Sequence, residues 1–197
     1  IERTLIMKKT LSFCFLLLTF VTMNAQSFQQ NIKRDYIAYT QFVIEKKFDQ
    51  ALEYTDPRIF EFYSREQFKS AMEAIFATEG LELKLTLPNS FKIGEIKNID
   101  KIDYVKMNVV SFYEMKIAEI DFDNADEETL KYVLTALEEQ YGDGNVVFDK
   151  ETQFFKITDN SEVVGSSLDN KMTWKFLVID PNLKSILGKI IPKEVLN

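Results

Sequence analysis

The fold is decided by Tyr104-Val105-Lys106-Met107-Asn108-Val109-Val110-Ser111-Phe112-Tyr113-Glu114-Met115-Lys116-Ile117. Val105, Met107, Val109, Tyr113, Met115 and Ile117 fall on alternate positions, the period of a strand with one face turned to a core. Lys106, Asn108, Glu114 and Lys116 take the other face, together with Val110 and Phe112. A strand read from Tyr104 to Ile120 is long enough to bend, as sheets that wrap a core do.

Working outward, the segment before it carries a second period-2 run. Leu81, Leu83, Leu85 and Leu87 alternate with Glu82, Lys84 and Thr86 up to Pro88. Phe91 to Ile96 predicts a further strand. Upstream of Gly80 the period is helical. Ile32, Tyr36, Tyr39 and Val43 predict a helix over Asn31 to Glu45, and Phe48, Ala51 and Leu52 a shorter one to Tyr54. Asp56-Pro57 resets the chain, because proline disfavours helix in the residue before it. Ser64 with Gln67 forms a capping-box pattern ahead of a helix expected to bury Phe68, Met72, Ile75 and Phe76 and to end at Gly80.

Downstream, Leu130, Val133, Leu134, Leu137 and Tyr141 form the stripe of a helix over Ala125 to Tyr141, with acidic residues in its first turn, where the backbone dipole favours them. Short strands are expected at Val146–Phe148 and Thr152–Thr158. A last strand runs from Lys171 to Ile179, with Met172, Trp174, Phe176 and Val178 on one face. Asp180-Pro181 opens a short closing helix with Gly188 as its stop. Three helices, then a mainly antiparallel sheet with one helical insertion, make an α+β chain with its helices on one side of a curved sheet.

The front of the chain reads as targeting sequence. Met7-Lys8-Lys9-Thr10, the apolar run Leu11 to Val21 and the small residue Ala25 are the three parts of a secretory signal peptide. A spanning helix needs about 20 apolar residues, and this run has 11. The expected organisation is an upstream extension at 1–6, a signal peptide at 7–25 and one α+β domain at 26–197, in an exported, periplasmic or secreted protein with no stable membrane anchor after cleavage. Cys14, the only cysteine, lies in the apolar run, and the chain has no histidine. Disulfides, thiol nucleophiles and imidazole bases are therefore excluded from the exported part. The net charge of −7 argues against sequence-independent nucleic-acid binding.

Several segments resemble the nuclear-transport-factor-2-like superfamily, the cystatin-like α+β cone, and in particular its small secreted bacterial members. They are Tyr36-Ile37-Ala38-Tyr39 through Phe48-Asp49-Gln50-Ala51-Leu52-Glu53-Tyr54, Asp56 to Glu61, Ser64 to Phe68, the Trp174-Lys175-Phe176 strand and Ile190-Ile191-Pro192. The helix from Ala125 to Tyr141 departs from the simplest pattern as an insertion. The resemblance implies a cone whose concave mouth serves as a pocket. In some members that pocket holds an isomerase or dehydratase site with an Asp or His base and a Tyr donor.

Tyr36, Tyr39, Met107, Tyr113 and Trp174 are the candidate pocket-lining residues. They read either as core aromatics with a gap-filling methionine or as the walls of an apolar cavity with a few polar donors. No Asp or Glu is expected in register on the inward faces, which disfavours proton transfer. The acidic run Asp121, Asp123, Asp126, Glu127, Glu128 fails as a calcium loop, since Ala125 and Asp126 occupy the fifth and sixth places counted from Asp121. No metal or cofactor is expected. The expected function is non-catalytic binding of a small apolar ligand or a protein partner, with Val110 and Phe112 offering a homodimer contact. The alternative is a small enzyme using a carboxylate and a tyrosine.

Overall fold

The computed structural model describes residues 28–122, 126–180 and 183–196. The signal-peptide reading, the upstream extension, Asp123 to Ala125 and Pro181 lie outside the described residues. The first helix, α1, spans residues 28–44 and ends where Lys46 adopts a left-handed φ of 57°. After it come α2 (Phe48–Leu52), a 3-10 helix (Pro57–Glu61) and α3 (Arg65–Ala77). Strands β1 (Leu81–Leu85), β2 (Ser90–Ile99) and β3 (Ile102–Ile117) precede α4 (Glu127–Tyr141). Strands β4 (Val146–Asp149), β5 (Phe154–Ser167) and β6 (Lys175–Val178) lead to α5 (Lys184–Ile190) and α6 (Lys193–Leu196).

All six strands form one antiparallel sheet. Its spine is the β3–β5 pair, in unbroken register from Asp103↔Ser167 to Met115↔Phe155. Both long strands are shared: β2 and then β1 line the free side of β3, while β6 and β4 line the free side of β5. Gly94 sits in a register shift of β2 between Ile93 and Ile96. A Cβ there would lie 2.7 Å from the Lys106 carbonyl oxygen, so only glycine lets the bulge close on β3.

The inner face carries the odd-numbered residues of β3 and β5, as the alternation predicts. Under α1 pack Val105, Met107, Val109, Val163, Trp174 and Phe176 with Ile32 and Tyr36. Farther along the same face, Tyr113, Met115, Phe155 and Ile157 meet the α4 stripe of Leu130, Val133, Leu134, Leu137 and Tyr141. The helices are not confined to this side. On the opposite face Tyr104, Val164 and Leu177 pack with Ile59 of the 3-10 helix and with Leu187, Ile190, Ile191 and Val195. The even positions Tyr104 and Val164 sit among Lys106, Asn108 and Glu162, which disguises this second apolar contact in the sequence.

Several boundaries move for physical reasons. The last strand starts at Lys175 because Asn170 and Lys171 hold left-handed φ values of 55° and 68°, which is turn geometry; Met172 is exposed. Strand β5 runs nine residues past Thr158, carried through Asp159-Asn160-Ser161 by pairing with β3. Helix α5 passes through Gly188 and stops at Ile190, and its N-cap is Leu183 without a side-chain cap. The capping box of α3 is formed: Gln67 N–H donates to Ser64 Oγ at 3.1 Å and Ser64 N–H to Gln67 Oε1 at 2.7 Å. That helix ends at Ala77, with Gly80 in the turn beyond it, and buries none of its stripe completely; Ile75 is 55% exposed.

Candidate functional site

The five candidate residues separate into three settings. Tyr36, Met107 and Trp174 are brought together, fully buried in the cluster under α1. There they are filled core. Gly165 makes room for them, since a Cβ at that position would stand 3.0 Å from Val105, 3.2 Å from Trp174 and 3.3 Å from Phe176. Tyr113 lies in the other cluster, its ring 5.8 Å from that of Tyr141. Tyr39 is half-buried, 5.8 Å from the Tyr36 ring, and borders open space.

The docking of α1 rests on a buried carboxylate. Asp35 Oδ2 accepts the Trp174 N–H at 2.8 Å, and Oδ1 accepts Arg34 Nε at 2.8 Å. Arg34 Nη2 also donates to the Met172 carbonyl at 2.8 Å, so the helix is tied to the turn before β6. The Trp174 indole N–H is the one buried side-chain donor among the described residues without a partner.

The space beside Tyr39 is a cavity of about 160 Å³ between α2, α3 and β6. Tyr39, Leu52, Phe68, Met72, Phe176, Leu177, Val178 and Leu183 supply apolar walls, with Thr55 and Asp180 as the polar members. A groove of about 270 Å³ adjoins it, sharing Phe68 and Leu183 and adding Tyr63, Gln67 and Ala71. Both exist because α3 keeps only part of its stripe covered. Burial pushes the Tyr39 hydroxyl above the ordinary phenol range, so it stays a neutral donor at physiological pH.

The outer face of the far half of the sheet carries a shallow groove of about 630 Å³. It is bordered by Lys84, Glu114 and Lys156 among Phe112, 42% exposed, and Val147, 59% exposed. Val110 is half-buried, so Val147 rather than Val110 joins Phe112 as outer apolar surface.

The expectation that no carboxylate stands in register on the inner face is overturned. Asp159 is directly opposite Ser111 and on the same face as Ile157 and Val163. It went unread because Asp159-Asn160-Ser161 has the composition of a turn, whereas the long β3 partner holds it in strand geometry. The only signal that could have found it was the length of the 104–117 run, which demands an equally long neighbour.

A second carboxylate missed in the sequence, Asp56, caps the 3-10 helix from a buried position. Arg58 grips it with two donors, Nε to Oδ1 at 2.9 Å and Nη2 to Oδ2 at 2.5 Å, while the Ser166 hydroxyl donates to Oδ2. Arg58 Nη1 reaches the Tyr104 hydroxyl at 2.5 Å and the Ile190 carbonyl at 3.0 Å. Burial alone would raise the Asp56 pKa; the Arg58 guanidinium and the Ser166 hydroxyl outweigh it and hold the carboxyl below the usual carboxylate range. This network fastens the 3-10 helix and α5 to β3 and β5. It is a structural clamp.

Among the described residues no group of three or more potential ligands could hold a metal ion, and no helix is long and apolar enough to cross a membrane. No family model and no curated protein matches the chain.

Proposed function

We propose that this chain is an exported, non-catalytic binding module that holds a small apolar ligand in the cavity beneath α3. The observation that carries the reading is that cavity: about 160 Å³, walled by aliphatic and aromatic side chains, with a neutral tyrosine donor at its edge. A dry apolar cavity near 150 Å³ accepts a single benzene-sized ring. The adjoining groove between α3 and Leu183 gives such a ligand room for a tail. The half-covered stripe of α3 supports the same reading, since a helix without fully buried residues opens at low cost. Export is the destination that the Met7-to-Ala25 pattern supports, and mass analysis of the exported chain should find its first residue at Gln26.

The competing enzyme reading draws on Asp159 beside tyrosines. Burial, the hydrogen bond with Tyr141 and nearby charge push the Tyr113 hydroxyl far above the phenol range, and burial does the same to Tyr36. Proton transfer works best with a donor whose pKa is near the working pH, so binding is the better-supported function.

The test is a fluorescence titration of the full exported chain with N-phenyl-1-naphthylamine. The wild type should enhance the probe's emission saturably, and Met72→Phe, which fills the cavity from α3, should weaken binding at least tenfold. Equal binding by the two proteins would reject the cavity as the site.

A further inference from the structure

The apolar run of the inner face is interrupted by polar residues. The cluster under α1 ends at Val109 and Val163, and the cluster under α4 begins at Tyr113 and Ile157. Between these two apolar clusters the same face carries the polar residues Ser111, Asp159 and Ser161, all half-buried. Ser111 and Asp159 are a directly opposed pair, so their Cβ atoms are about 5 Å apart. Tyr113 is the diagonal neighbour of Asp159, within reach of an aromatic side chain.

Asp159 is poorly served by its own protein. A carboxylate offers about four lone-pair positions, and here the Ser161 hydroxyl fills one, at 2.7 Å. Among the described residues no lysine or arginine lies within ion-pair distance of it, although other inner and outer carboxylates (Asp35, Asp56, Glu114, Asp149) each have one. A negative group that is half-withdrawn from water, diagonal to the Tyr113 ring and lacking a cation, is complementary to a positively charged organic group. N–H donors satisfy the carboxylate, and aromatic rings attract a cation further.

We propose that this polar break between the α1 and α4 clusters is a recognition site for an organic ammonium group, with Asp159 as its counter-charge, Ser111 and Ser161 as hydroxyl partners and Tyr113 as a side wall. The site shares no residue with the cavity beneath α3, so the two proposals stand or fall separately.

The test uses the full exported chain and three probes of one shape and different charge: benzylammonium, benzyl alcohol and benzoate. Binding is followed by amide NMR shifts of Ser111, Asp159 and Ser161. Benzylammonium should shift these amides and bind at least tenfold tighter than benzyl alcohol, with benzoate weakest. Asp159→Asn keeps an oxygen for the Ser161 hydroxyl and removes the charge, so it should cost benzylammonium at least tenfold while leaving the melting temperature close to wild type. If Asp159→Asn folds poorly, Ser161→Ala serves, with an expected threefold or greater loss. Absence of benzylammonium shifts at the three amides, equal binding of the alcohol, or full retention of binding in the variant would overturn the proposal. Met72→Phe should leave the benzylammonium shifts unchanged, which separates this site from the apolar one.

Discussion

At the scale of single residues, buried charge does most of the specifying. Asp35 and Asp56 are withdrawn from water, and each is met by an arginine and by a backbone or hydroxyl donor. Removing one partner of such a pair leaves an uncompensated charge, a loss of about 3–5 kcal/mol. Arg58→Met should therefore destabilise the fold by about 3 kcal/mol in urea melts at neutral pH. The pH dependence follows from the lowered pKa of Asp56. The stabilisation it brings is fully present above the unfolded value of about 3.9 and fades as pH falls through the lower folded value. Asp56→Asn should be less stable than the wild type at pH 7 and should flatten the acid limb below about pH 4. An unchanged acid limb would show that Asp56 does not titrate with folding. Residue-level signals were unevenly legible. Ser64 with Gln67 and the Asp126 cap on Thr129 N–H follow from local spacing alone. Asp35, Asp56 and Asp159 have local partners in Arg34, Arg58 and Ser161, but their roles depend also on partners 139, 110 and 48 residues away, which no local pattern encodes.

At the scale of elements, the long strands govern the short ones. β3 showed its alternation plainly because its inner positions from Val105 to Ile117 are apolar at every place but Ser111. β5 did not, because its middle is polar, Asp159-Asn160-Ser161, so it resembles two pieces divided by a turn. Its continuity is imposed by β3, a tertiary effect overriding local propensity. The reverse holds at Lys171, where the expected strand start is excluded by two left-handed residues, Asn170 and Lys171. The bulge in β2 is the element most sensitive to a single methyl group. Gly94→Ala would drive a Cβ against the rigid Lys106 backbone oxygen. The expected cost is about 1–3 kcal/mol, read by chemical denaturation, with faster amide exchange in Lys92 to Lys97. A variant as stable as the wild type would mean that the bulge is not built on that contact.

At the scale of the whole molecule, one bent sheet is served by two inner helices and by an outer cap of 3-10 helix, α5 and α6. The α+β architecture and the orientation of the Val105-to-Ile117 row were legible in the sequence, because burial along a strand writes itself at every second position. The second covered face was not, because Tyr104 and Val164 are isolated apolar residues in polar surroundings. Nor was the cavity beneath α3 legible, since a stripe of Phe68 and Met72 looks the same whether its helix presses onto the core or stands off from it. That standing-off is the centre of the functional account. Its most direct test is methyl NMR of the full chain titrated with N-phenyl-1-naphthylamine. The account predicts shifts confined to the methyl groups of Leu52, Met72, Leu177, Val178 and Leu183. Shifts centred on Val147 of the outer groove, with the Met72 methyl unmoved, would contradict it.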